Sequence, residues 1–269
     1  MNEGANAVEA SAADGNSQPV VLTVTTGDLV EVLGAGLRDF RAAPLYGLVI
    51  GSIYTVGGWL MILLLMWLDL PYLVYPIAAG FALIAPFVAA AFYAVSRCLE
   101  RKEPLSWGGI GGSVRAAFSS DLGWMALVSG FSLFIWMDIA ALLFFGFLGL
   151  SALSFQAMLE VIFTTPMGLL FLVIGNAVGA VIAMAVFSFS VISFPILFDR
   201  DIDFVTAMIT SVKVVLANKV PMVIWCATIA VLVGLSLLSG LVGLFVILPV
   251  LGHASWHLYR RVIAPETAR

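Results

Sequence analysis

Between Pro44 and Val262 this chain is a succession of apolar stretches. Each has about the twenty residues that a helix needs to cross a hydrocarbon core of about 30 Å. The candidates are 44–67, 72–95, 123–147, 167–197, 221–238 and 241–262. With 62% hydrophobic and 10% charged residues and a mean hydropathy of +1.11, no water-soluble core of this size could hide the apolar surface. Lipid has to be the solvent for much of the chain. The expected fold class is therefore all-α: a polytopic transmembrane helix bundle of about six spans. The fourth stretch is too long to cross straight, so it must tilt, kink or project beyond the membrane. The last two are separated only by Ser239-Gly240, where a tight reversal is expected.

All twelve Lys and Arg fall on one side of that six-span arrangement. Arg38 and Arg41 precede the first span, and Arg97, Arg101, Lys102 and Arg115 follow the second. Arg200, Lys213 and Lys219 follow the fourth, and Arg260, Arg261 and Arg269 follow the sixth. The positive-inside rule makes that side cytoplasmic, with both termini there. No secretory h-region precedes residue 25, so the first span is expected to act as an uncleaved insertion signal. Cys98 and Cys226 fall near the cytoplasmic face and imply no disulfide framework.

Residues 1–24 are small and polar and read as a disordered cytoplasmic tail. Residues 25–262 read as the membrane domain, with 263–269 as a second cytoplasmic tail. Thr25 and Asp28 have capping-box spacing ahead of Leu29, Leu33, Leu37 and Phe40 at helical intervals, which predicts an amphipathic interfacial helix. A second is predicted at 199–219, where Asp199, Asp201 and Asp203 precede Phe204, Ala207, Met208, Val212 and Val215. The connection 98–122 carries a flexible Gly108-Gly109-Ile110-Gly111-Gly112. Ser151–Thr165 reads as a short amphipathic or re-entrant helix ending before Pro166.

The second and sixth spans share a pattern. Gly80-Phe81-Ala82-Leu83-Ile84-Ala85-Pro86 aligns with Gly243-Leu244-Phe245-Val246-Ile247-Leu248-Pro249, and Tyr93 and Arg97 align with Trp256 and Arg260. Upstream, Phe40 to Pro44 echoes Ala217 to Pro221. Each half reads as interfacial helix, proline, span, span, arginine: a possible parallel internal repeat, of a kind also seen in some transporters.

Few residues carry chemistry. Asp138 is the one acid well inside a span, where a carboxylate costs about 2.5–3.5 kcal/mol and should face protein or water. It lies about 22 Å along its helix, and Asn176 enters the antiparallel next helix by about 14 Å, so the two could be near in depth. A structural polar pair and a proton or substrate site are the alternatives. His253 and His257 share a helix face and are weak metal candidates, in a His-Ala-Ser-Trp-His run without the glutamate of a zincin. Packing or hydrogen bonding explains them as well. Asp199 to Asp203 resembles the start of a calcium loop, but Phe204 replaces the turn glycine and Thr210 the bidentate acid. The glycines at 108–112 follow no strand and lack the Lys-Ser/Thr of a phosphate loop. Gly47-x-x-x-Gly51 and Gly175-x-x-x-Gly179 allow close helix approach within the bundle. No basic patch suggests nucleic acid. No catalytic site, cofactor or metal is expected.

Several short motifs occur in a telling order: Asp28-Leu29, Gly36-Leu37-Arg38-Asp39-Phe40, Pro44, Gly51, Tyr54, Gly57, Pro76, Ala79-Gly80-Phe81-Ala82-Leu83, Pro86, Tyr93, Ser96-Arg97 and Glu100-Arg101. They continue as Thr165-Pro166, Gly168, Pro195, Asp199-Arg200, Ser211, Asn218, Pro249 and Gly252-His253-Ala254 through Tyr259-Arg260. Over about 28–262 the chain resembles an uncharacterised family of bacterial integral-membrane proteins, defined only as a domain of unknown function. Some members carry a provisional cytochrome c oxidase subunit label. A haem–copper core needs several histidines from different helices, whereas this chain has two, both on one helix. The label therefore implies at most an accessory or assembly role beside a respiratory complex. The expectation is a non-enzymatic accessory, assembly or structural membrane protein whose partners are the lipid bilayer and other membrane proteins. The alternative is a small transporter or channel with Asp138 in its pathway.

Overall fold

A computed structural model describes residues 19–67, 85–118, 121–149 and 155–265. Over these residues the chain is almost wholly helical. The helices are α1 (Thr26–Ala42), α2 (Pro44–Trp67), α3 (Ala85–Arg101), α4 (Trp107–Phe118), α5 (Asp121–Leu148) and α6 (Phe155–Thr164). They continue as α7 (Pro166–Ser190), α8 (Ser193–Asp199), α9 (Phe204–Ala217), α10 (Lys219–Leu238) and α11 (Leu244–Val262). Among the described residues, four helical runs are long and apolar enough to cross a membrane: Pro44–Leu64, Asp121–Leu148, Pro166–Asp199 and Lys219–Leu238. The expected second span begins at 72, outside the described residues.

The α1 start is the predicted one. Thr25 accepts from the Asp28 backbone N–H, and the Asp28 carboxylate accepts from the Thr25 N–H at 2.7 Å. This reciprocal cap satisfies two of the helix's orphan donors. The second helix expected at the interface, α9, is capped by Asp203, which accepts from Thr206 N–H at 2.9 Å.

Helix α11 is the centre of the packing rather than a lipid-facing span. Its apolar run is cut short by His253, His257, Arg260 and Arg261, and α1, α2, α3 and α10 all pack on it. The α1 crossing is so close that a Cβ at Gly36 would lie 2.5 Å from the Val250 carbonyl oxygen. Gly51 of α2 faces Pro249 of α11, and Gly179 of α7 faces Trp136 of α5. Both Gly-x-x-x-Gly pairs thus include a glycine packed within the bundle.

Helices α10 and α11 are joined by the reversal expected at Ser239-Gly240. Gly240 has φ +66°. Its N–H donates to Leu237 O and that of Leu241 to Ser236 O, both at 3.1 Å. That pair is the Schellman ending, in which glycine supplies the left-handed residue. Trp59 of α2 fastens the turn by donating to Gly240 O at 2.7 Å.

The long fourth stretch breaks at Val191-Ile192, between α7 and α8. Pro195 is the cause, since it has no N–H for the Val191 carbonyl and its ring clashes there. Ser211 of α9 caps the break, accepting from Ile192 N–H at 3.2 Å and donating to Ser188 O at 2.8 Å.

Three expectations change. Residues 108–112 form no flexible loop but lie inside α4, which Ser106 caps by accepting from Gly109 N–H at 3.1 Å. Burial of Ile110 and the Tyr46–Trp107 ring contact at 4.3 Å supply the packing that offsets poor glycine propensity. Residues 19–24, assigned to a tail, are extended and paired with the other assigned tail. Leu22 N–H donates to Val262 O at 2.8 Å, and Ala264 N–H to Val20 O at 3.0 Å. Asn218 completes this seam by accepting from Val24 N–H at 2.7 Å and donating to Leu22 O at 3.1 Å. Finally, the sequence repeat does not extend to equivalent packing: α1 lies along α11, whereas α9 packs mainly on α7 and α8. The aligned aromatics nonetheless meet, with Tyr93 and Trp256 rings 6.3 Å apart around Phe198.

Candidate functional site

The polar side chains concentrate where α1, α3, α8 and α11 converge. One face of α11 presents His253 and His257, and the facing turns of α1 and α3 present Asp39 and Ser96. The Ser96 hydroxyl donates to Asp39 Oδ2 at 2.8 Å and also lies 2.8 Å from His253 Nδ1. His257 Nε2 lies 2.8 Å from the same Asp39 oxygen. A hydroxyl has one hydrogen, here given to the carboxylate, so His253 is the donor at Nδ1. The result is a continuous chain, His253–Ser96–Asp39–His257. His253 is fully buried, its ring packs edge-on to Phe92, and Nε2 has no hydrogen-bond partner among the described residues. Burial alone would raise the Asp39 pKa, but the hydrogen bond and charge of His257, with Ser96, hold it below its ordinary value.

The next turns of α11 repeat the theme. Trp256 Nε1–H donates to Glu100 of α3 at 3.0 Å, and Arg260 donates to Glu100 at 2.8 Å. Tyr259 O–H donates to Asp199 of α8 at 2.7 Å and accepts from Arg200 at 3.1 Å. Arg261 pairs with Asp28 and Glu31 of α1. We call this assembly the clasp.

Ser, His and Asp here do not form a hydrolytic triad. In a triad the carboxylate sits on the far nitrogen of the imidazole that activates the serine. In the clasp it touches the serine itself, and Ser96 is fully buried. Each histidine is held by a different partner rather than aimed with the other at one point. No three His, Cys, Asp or Glu side chains converge on a metal position among the described residues.

The sequence-level pair is not brought together. Asp138 is exposed on α5 and makes no hydrogen bond or ion pair among the described residues. Asn176 donates to Leu172 O of its own helix at 2.7 Å. Asn176 lines a groove of about 820 Å³ between α5 and α7, with Ser129, Ser132, Trp136, Phe171 and Gly179, and Asp138 is not among its walls. Asp39 and Ser96 were missed as site residues. Their signal lay in two exposed-looking polar positions at the ends of apolar helices, which is also the signature of ordinary interfacial residues.

Helices of this length and hydropathy, with apolar faces bare of protein, define a helical integral membrane protein embedded in the lipid bilayer. Over residues 73–199, a little under half of the chain, it is similar to the family described as Predicted integral membrane protein (DUF2189). No curated protein and no solved structure matches.

Proposed function

We propose that this is a non-enzymatic accessory or assembly protein of the bacterial inner membrane, with the clasp and both termini on the cytoplasmic side. The observation that carries the reading is how the polar groups are used. The acids of the clasp are each engaged by a neighbour in the same protein, and α5 and α7 offer the membrane long apolar faces with no ionisable path between them. Chemistry on a substrate needs convergent groups left free for it. Association within the bilayer needs only surface and small residues. The one-sided distribution of the twelve bases supports the orientation.

The test is affinity purification from native membranes in mild detergent. The reading expects a membrane protein to co-purify in constant proportion, and it fails if the chain always purifies alone. Co-purification of respiratory subunits would specify a role beside an oxidase. The transporter reading is favoured by one fact, the unpartnered carboxylate of Asp138. Proton or solute flux in liposomes that Asp138→Asn abolishes would replace our reading with that one.

A further inference from the structure

Between α3, α4 and α8 lies a cavity of about 330 Å³ whose walls include Arg97, Ser113, Phe198, Asp199 and Asp201. Its depth follows from the helix ends. The span α5 begins at Asp121, three residues beyond the end of α4, and the run of α7 and α8 ends at Asp199. The cavity therefore sits where hydrocarbon gives way to headgroups.

Its polar groups divide into engaged and free. Arg200 and Asp199 are held by Tyr259, with Arg260 also 3.6 Å from Asp199. Arg97 is different. Its guanidinium stands 4.5 Å from the centre of the Phe198 ring, and its one hydrogen bond is a long 3.5 Å contact to Phe198 O. It has no carboxylate partner, and Ser113 and Asp201 make no hydrogen bond among the described residues. One cavity thus presents an aromatic-backed cation with open donors, a free hydroxyl and a free carboxylate.

Groups of both signs in one interfacial cavity call for a ligand carrying both charges. We propose that the cavity binds the headgroup of a phosphatidylethanolamine-type lipid, with the phosphate on Arg97 and Ser113 and the ammonium at Asp201. Arginine's planar fork suits phosphate oxygens. A primary ammonium can donate hydrogen bonds to the carboxylate, which a quaternary ammonium cannot do. A net-anionic headgroup would meet the like charges of Asp199 and Asp201. The inference needs only that this face is a membrane boundary and does not depend on the accessory role.

The experiment is native mass spectrometry of the full chain titrated with dioleoyl phosphatidylethanolamine, phosphatidylglycerol and phosphatidylcholine, and with soluble phosphoethanolamine. The ethanolamine lipid is expected to bind about tenfold tighter than the other two, the scale of one charge-assisted hydrogen bond. Arg97→Gln should weaken it about tenfold. Asp201→Asn, at an exposed position, should erase the preference over phosphatidylglycerol while leaving binding itself. Equal binding of the three lipids by the unaltered chain overturns the proposal, as does indifference to Asp201→Asn, which decides the matter even if the Arg97 variant fails to fold. Phosphoethanolamine binding as tightly as the lipid would assign a soluble ligand and overturn the lipid claim.

Discussion

Trp256 on α11 and Leu142 on α5 are both large apolar side chains, yet the first is 1% exposed and the second 73%. They stand for two regions built by different rules. In the clasp, α1, α3, α8 and α11 approach closely enough to need glycine, and each carboxylate finds a donor. In the α5–α7 hairpin the helices touch along one side, and Phe131, Val173 and Val181 face outward. The difference follows from the solvent. Lipid accepts apolar side chains and rewards no burial, whereas an ionisable group near it must be paired within the protein. Among the described residues the ionisable groups cluster near helix ends, with Asp138 in the middle of α5 the exception, so the helix ends are where a tight core is required.

Four substitutions or conditions bear on this contrast, beginning with the largest effect. Asp39→Ala removes the carboxylate on which Ser96 and His257 both converge, at 2.8 Å each. A loss of about 3 kcal/mol is expected, because their polar atoms are left unpaired. Denaturant titration in detergent would measure it, and a loss under about 1 kcal/mol would make the clasp an incidental arrangement.

Next comes a pair of identical changes in the two regions. Gly36→Ala puts a Cβ 2.5 Å from Val250 O and should cost about 2 kcal/mol. At Gly175 of α7 the nearest atom to a Cβ is 3.9 Å away, so Gly175→Ala should be neutral or stabilising by up to about 1 kcal/mol through helix propensity. Equal effects in the same unfolding assay would erase the distinction between the regions.

The third effect is pH dependence. The folded protein holds Asp39 below its ordinary pKa. Its ionised form therefore favours the fold, fully so above about pH 4, and that contribution is lost as pH falls through the depressed folded value. Asp28 and Asp203, lowered by their capping hydrogen bonds to Thr25 and Thr206, act in the same direction. Unfolding midpoints measured from pH 6 downward should fall, and Asp39→Asn should flatten the curve. The smallest effect belongs to Asp138→Asn in the hairpin, expected within about 0.5 kcal/mol of the parent because no group is left unpaired.

Much of the helical skeleton was legible because its signals are local. Thr25 and Asp28 lie three apart, Ser239-Gly240 interrupts an apolar run, and the Pro195 kink needs only the proline itself. The clasp was not legible, because Ser96 meets His253 across 157 residues and Asp39 meets His257 across 218. The i, i+4 histidines announced a face but not what it faces. Helix α4 was misread for the opposite reason, since four glycines argue locally against a helix and only tertiary packing by Ile110 and Trp107 outweighs them. The seam between 19–24 and 262–264 shows the same limit: Val20, Val21, Leu22, Thr23 and Val24 form a β-prone run, but nothing local identifies its partner at the other end of the chain.

The contrast itself can be tested by labelling reconstituted protein with a lipid-soluble carbene reagent and mapping the adducts by mass spectrometry. The account predicts label at Leu142, Val173 and Val181 on α5 and α7, and none at Trp256 or Tyr259 on α11. Comparable labelling of Trp256 and Tyr259 would contradict it, since that end of α11 would then face lipid rather than the clasp.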